Sequence, residues 1–177
     1  MTQAYDHLSE WFEYLNDDCD YPAWSQYFLS GLAALGAGRK GLEVGCGSGA
    51  FCRALAKAGY EMTGVDLSAP MLDKAARLAR EEGVCVRFFQ ADAAVLPMRE
   101  QFDFLLAPND CYNYIMPEKL PAAFRKAAAR LKKRRTRSFP RFPRRGWKSC
   151  ASRGISAKPS GRATASTLYA ADDKQNL

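Results

Sequence analysis

The sequence predicts an α/β protein with a doubly wound parallel sheet, incomplete on its C-terminal side and preceded by two helices. Three observations predict it. A short apolar strand runs through Gly45-Cys46-Gly47-Ser48-Gly49 into a helix; a second strand ends in Asp66, 17 positions beyond Gly49; and apolar runs of strand length follow at 84–89 and 102–107. Strand, turn and helix in repetition are the pattern of a parallel sheet covered by helices.

The elements follow in order. Residues 5–15 bring Leu8, Trp11, Phe12 and Leu15 onto one helical face, and Tyr21 to Leu35 does the same with Trp24, Phe28, Leu32 and Leu35. Asp20 is the expected N-cap of this second helix, Pro22 falls in its first turn and Gly36-Ala37-Gly38 stops it. Gly41-Leu42-Glu43-Val44 is the first strand, and Ala50 to Ala58, stopped by Gly59, is the helix after the glycine turn. Glu61 to Ser68 holds the second strand. Ser68 then caps a helix carrying Met71, Leu72, Ala75, Ala76, Leu78 and Ala79 on its buried stripe. The third strand is Val84 to Phe89 and the fourth Phe102 to Ala107. A last helix opens at Pro117-Glu118, with Leu120, Ala123, Phe124, Ala127, Ala128 and Leu131 facing inward.

At 177 residues and 47% apolar composition the chain is long enough for one domain with a sizeable core. It has no apolar run long enough to span a bilayer. The N-terminal stretch with Tyr5, Asp6, His7 and Glu10 lacks the pattern of a secretory signal, so a cytoplasmic location with reduced thiols is expected. The 6 cysteines form no C-x-x-C and His7 is the single histidine, which gives a metal cluster no support.

The glycine turn is a ligand cradle, because glycine lets the chain turn sharply and a ligand lie against bare backbone. Gly45-x-Gly47-x-x-Ala50 also satisfies the loose dinucleotide pattern, which keeps a nicotinamide-dependent oxidoreductase as an alternative. Glu43 discriminates. A carboxylate two residues before the first glycine disfavours a pyrophosphate at the helix N-terminus and suits a cationic ligand. Asp66, at the tip of the neighbouring strand, is placed to accept hydrogen bonds from ribose hydroxyls.

Glu43-Val44-Gly45-Cys46-Gly47-Ser48-Gly49, together with Asp66, resembles the first motifs of the class I S-adenosylmethionine-dependent methyltransferases, and the resemblance covers about residues 8–131. It implies a Rossmann-like sheet with local strand order 3-2-1-4 and S-adenosylmethionine as cofactor. Glu43 would organise the loop and the methionine end. Gly45, Cys46, Gly47 and Gly49 would permit close approach, and Asp66 would hold the ribose. Leu67, Ser68 and Met71 would line adenine and ribose, Met71 being equally explained as core. Asp92 would take the adenine amino group with the Ala93 backbone on the ring edge, although an Asp leaving a strand is also an ordinary turn residue. Asn109 would contact the methionine part. Asn113-Tyr114 resembles a recurrent pair near the acceptor, and Asp110 is the acidic candidate should a base be needed; in-line methyl transfer can proceed on positioning alone. N-terminal helices often cover the pocket in this family; where it favours Tyr this chain has Phe12.

Past Leu131 the resemblance stops. Residues 1–131 carry 13 Lys/Arg and 17 Asp/Glu, a net −4, whereas 132–177 carry 13 and 2, a net +11. The expected organisation is therefore a cofactor-binding domain over 1–131 (helices in 5–36, sheet core in 40–131) and a basic, disordered or aberrant tail over 132–177. Pro140 and Pro143 interrupt the place where the family continues into a fifth strand. Two readings stand for the tail: a nucleic-acid or anion-binding segment, with Phe139, Phe142 and Trp147 available for stacking, or a shift of reading frame near Lys133. The second leaves the fourth strand with an uncovered edge. The acceptor and the oligomeric state are not readable from the residues.

Overall fold

The computed structural model describes residues 19–108 and 111–132 and the backbone of 167–170. Helix α1 (Tyr21–Ala34) leads into β1 (Lys40–Val44), α2 (Ala50–Lys57), β2 (Glu61–Asp66), α3 (Ala69–Glu81), β3 (Val86–Gln90) and β4 (Phe104–Ala107). Two 3-10 turns (Cys111–Tyr114 and Pro117–Lys119), α4 (Leu120–Ala129) and β5 (Thr167–Ala170) complete it. The expected first helix, 5–15, lies outside the described residues.

The sheet has the order β3-β2-β1-β4-β5. Its first four strands are parallel, with Glu43 of β1 flanked by Gly64 of β2 and Leu106 of β4. Strand β5 runs antiparallel to β4, Leu105 opposite Tyr169. This corrects the expectation of an uncovered β4 edge: Thr-Leu-Tyr-Ala is rich in strand-favouring residues, and exposed N–H and C=O groups on β4 are a template for such a segment.

Alternation along β4 divides the core. Phe104 and Leu106 face α1, α2 and α3 with Phe28, Leu32, Phe51, Leu55, Met62 and Leu72. Leu105 faces α4 with Leu42, Val44, Val65, Phe102, Ala123 and Ala127. All the strand residues named here are at most 1% exposed, and each large side chain of this kind contributes roughly 1.5–3 kcal/mol of burial free energy. Among the described residues no helix is long and apolar enough to cross a membrane.

Several boundaries differ from the sequence expectation. Strand β3 starts at Val86 rather than Val84 because Gly83 (φ +67°) and Val84 close the end of α3, donating to Arg80 O at 3.1 Å and Ala79 O at 2.9 Å. Phe102 precedes β4 proper; its amide donates to Arg130 O and its carbonyl accepts from Lys132, bridging to Leu131. Pro117 and Pro121 confine the first part of the last helix to a 3-10 turn, and Ala128, expected inside, is exposed. Asp20 does cap α1, accepting from the Ala23 amide at 3.0 Å.

Candidate functional site

The glycine turn stands at the carboxyl edge of the parallel sheet, between β1 and α2. It is fixed one peptide at a time. The amides of Gly45 and Cys46 both donate to Val65 O, at 2.8 and 3.0 Å, which fastens the start of the turn to β2. Gly47 N donates to Asp66 Oδ2 at 2.7 Å, and Gly49 N to Cys46 O at 2.8 Å. Gly45, Gly47 and Gly49 all have positive φ, the backbone state that side chains resist. A Cβ on Gly45 would in addition stand 2.5 Å from Cys111 Sγ, so the chain leaving β4 crosses directly over the turn.

Glu43 lies beneath this turn and is 1% exposed. It accepts hydrogen bonds from the thiol and the backbone amide of Cys52, in the first turn of α2, so the strand carboxyl caps the helix whose own N-cap, Gly49, has no side chain to do it. Its Oε2 is buried with no hydrogen-bond partner. Burial pushes this carboxyl up to about 7, the Cys52 hydrogen bonds opposing the rise and Asp66 adding to it.

Asp66 ends β2 with both oxygens engaged: Oδ2 by Gly47 and Oδ1 by the Ser68 amide at 3.0 Å. A carboxylate has about four acceptor sites, so it retains capacity for hydroxyl donors. Ser68 is buried and caps α3, its Oγ accepting from Met71 N at 3.4 Å. Met71 is a core residue at 1% exposure. Leu67 is 45% exposed beside this corner, its carbonyl taking the Gln90 side-chain amide at 2.9 Å. Asp92 is exposed and closes its own turn, Oδ1 accepting from Ala94 N at 2.7 Å, with Ala93 half-buried next to it. Burial first, and then the charges of Asp66, Glu43 and Asp92, raise the Cys111 thiol to about 12. The three acids thus all act electrostatically on the Cys111 thiol.

Asn109 and Asp110 lie outside the described residues. Asn113 and Tyr114 sit exposed in the 3-10 turn after β4, Tyr114 at 60%. Sequence reasoning missed Cys52, Cys111 and Arg53. Cys52 had a signal, since it falls three residues after the last glycine, where an N-terminal helix amide needs an acceptor. Among the described residues no group of His, Cys, Asp and Glu could hold a metal ion.

A parallel 3-2-1-4 sheet, a glycine turn at its carboxyl edge, an acid under that turn and an acid at the tip of the next strand define a Rossmann-like domain of the class I methyltransferase type. The chain belongs to a family described as methyltransferase domain, whose model matches residues 42–134. A chain of Geobacillus sp. (strain WCH70) named as a methyltransferase is 34% identical over 117 residues, 65% of this chain and 47% of that one. The ubiquinone biosynthesis O-methyltransferase of Methylococcus capsulatus is 37% identical over 97 residues, 55% of this chain and 40% of that one. Among solved structures, a S-adenosylmethionine-dependent methyltransferase of Clostridium acetobutylicum superposes with TM-score 0.64 at 26% identity, covering 70% of this chain and 51% of that one. The chain therefore spans about half the length of the relatives it matches.

Proposed function

We propose that the chain binds S-adenosylmethionine in the glycine cradle and is the cofactor-binding part of an enzyme that methylates a small-molecule acceptor. The observation that carries this reading is Glu43: a buried carboxyl with an acceptor oxygen that has no hydrogen-bond partner, under a turn of bare backbone, is an acid whose ionised form a cationic ligand would favour and a pyrophosphate would oppose. Bound there, the cofactor supplies an electrophilic methyl group. Glu43 shapes the turn by capping α2, and Gly45, Cys46, Gly47 and Gly49 give the ligand backbone to lie against. Asp66 orients ribose hydroxyls with the acceptor sites left over from its two backbone bonds. Leu67, Ser68 and Met71 form the wall beyond it, and Asp92 and Ala93 border the adenine. The family resemblance assigns Asn109, outside the described residues, to the methionine part.

Asn113 and Tyr114, exposed after β4, face the acceptor side, with Asp110 as the one acid of that loop available as a base. The similarity to ubiquinone biosynthesis O-methyltransferases favours an acceptor hydroxyl on a small organic molecule. Residues 1–131 form the cofactor-binding unit in this reading. The compositional break after Leu131, where the family continues into a glycine pair and an apolar strand, supports a shift of reading frame near codon 133 as the origin of the basic tail.

Calorimetric titration with S-adenosylhomocysteine, with NAD in parallel, tests the cofactor. Saturable binding of the first alone is expected; preference for NAD overturns the reading. The nucleotide sequence tests the tail: another frame after codon 133 encoding a glycine pair and an apolar strand is expected, and its absence refutes the shift.

A further inference from the structure

Among the described residues, Arg53 is a cation that hydrogen-bonds the backbone of the glycine turn. Its side chain is 11% exposed, and its Nε donates to Glu82 Oε1 at 2.9 Å. One terminal nitrogen donates to the carbonyl oxygen of Ser48. That carbonyl belongs to the same peptide plane as Gly49 N, whose hydrogen is taken by Cys46 O at 2.8 Å. Both ends of the Ser48–Gly49 peptide are therefore held, and Gly49 is kept at φ +74°, the left-handed state from which α2 starts. A half-turn of this plane would break both bonds and point a carbonyl oxygen into the cradle.

Glu82 stands at the C-cap of α3 and is shared with Lys57 at 3.0 Å. Burial alone would raise its carboxyl, but hydrogen bonds and charge from Lys57 and Arg53 draw it below the ordinary range and keep it ionised. A planar guanidinium can serve a carboxylate and a carbonyl in two fixed directions at once; a lysine ammonium is a point charge on a flexible stem.

We propose that Arg53, oriented by Glu82, is a positioning residue for the cofactor: it locks the Ser48–Gly49 peptide in the orientation that leaves the cradle open to the ligand. The proposal rests on the reading of the cradle as the S-adenosylmethionine site.

Two readouts on the full chain test it. The first is affinity for S-adenosylhomocysteine, and the second is amide hydrogen exchange of Gly49 against Val65 in the ligand-free protein. Arg53→Ala is expected to weaken binding about tenfold, the scale of one charge-assisted hydrogen bond. It should also accelerate Gly49 exchange selectively. Arg53→Lys keeps the ion pair with Glu82 and hence the melting temperature, yet should lose affinity and Gly49 protection, a separation that a purely structural ion pair does not produce. Arg77→Ala, which removes an exposed pair with Glu81, serves as the unaffected control. Binding within twofold of the parent together with unchanged Gly49 exchange in Arg53→Lys overturns the proposal, whether or not Arg53→Ala folds. Failure of the parent to bind S-adenosylhomocysteine removes the cofactor reading instead, and Gly49 exchange in the ligand-free chain still decides whether Arg53 holds the turn.

Discussion

Gly47 N donates to Asp66 Oδ2 across 2.7 Å, so the residue we propose as the ribose acceptor also holds the loop on which the ligand would rest. Both Asp66 oxygens accept backbone amides, from Gly47 and Ser68. An asparagine offers one acceptor oxygen and sets its NH2 donors against one of those amides. Asp66→Asn is therefore expected to behave almost as badly as Asp66→Ala, each weakening S-adenosylhomocysteine at least tenfold by calorimetry and costing about 1–3 kcal/mol of stability. A variant Asn that binds like the parent would show that the loop does not depend on this carboxylate.

The buried Glu43 makes stability depend on pH in an identifiable direction. Its folded-state value, about 7, stands above the unfolded 4.5, so in that interval the folded chain holds a proton that the unfolded one has released. Stability from this group is full below about 4.5 and falls as pH rises toward 7, by on the order of 3 kcal/mol. Denaturant titrations from pH 4.5 to 7.5 should show this decline, and Glu43→Gln, which cannot ionise, should flatten it. An unchanged slope in the variant would assign the dependence to other groups.

At Gly45 two penalties coincide and can be separated. Gly45→Ala meets the φ of +69° and also Cys111, whose Sγ and Cβ lie 2.5 and 2.7 Å from the new methyl. A combined cost of about 2–4 kcal/mol is expected from left-handed strain and overpacking. Adding Cys111→Gly should restore the overpacking share while leaving about 1–2 kcal/mol of strain. Equal melting temperatures for the single and double variants would mean that Cys111 is not the obstacle.

The thiols should react in an order set by burial. Cys85 is exposed, whereas Cys46 and Cys52 are buried and pushed above the usual thiol range, by burial first and by the Glu43 charge second. Mass spectrometry after mild alkylation at pH 8 should find Cys85 modified well before those two, which should react only on unfolding. Early labelling of Cys52 would mean that the α2–Glu43 junction opens readily.

Much of the site was legible because its chemistry is local in sequence. Positive φ at Gly45, Gly47 and Gly49 leaves a residue signature, and Asp66 stands at a strand tip that apolar patterning locates. Ser68 and Asp20 read as caps and act as caps. What was not legible depends on contacts between distant stretches. Nothing near Arg53 announces that Glu82 and the Ser48 carbonyl will converge on it, and Cys111 meets Gly45 only once β4 lies beside β1. The pairing of Thr167–Ala170 with β4 was missed for a related reason: four residues of strand propensity inside a basic, proline-rich stretch are too weak a local signal.

The fastenings of the cradle have a consequence for how the domain forms. Glu43 to Cys52, Gly45 to Val65 and Gly47 to Asp66 all join residues no more than 20 apart. Loops of that size close at smaller entropic cost than the one that brings Thr167–Ala170 to β4. Every partner in these fastenings lies between Glu43 and Asp66, so the turn is tied down by a stretch of 24 residues. None of them draws on the antiparallel strand at the far edge of the sheet, so a change in that strand leaves the hydrogen bonds of the turn untouched.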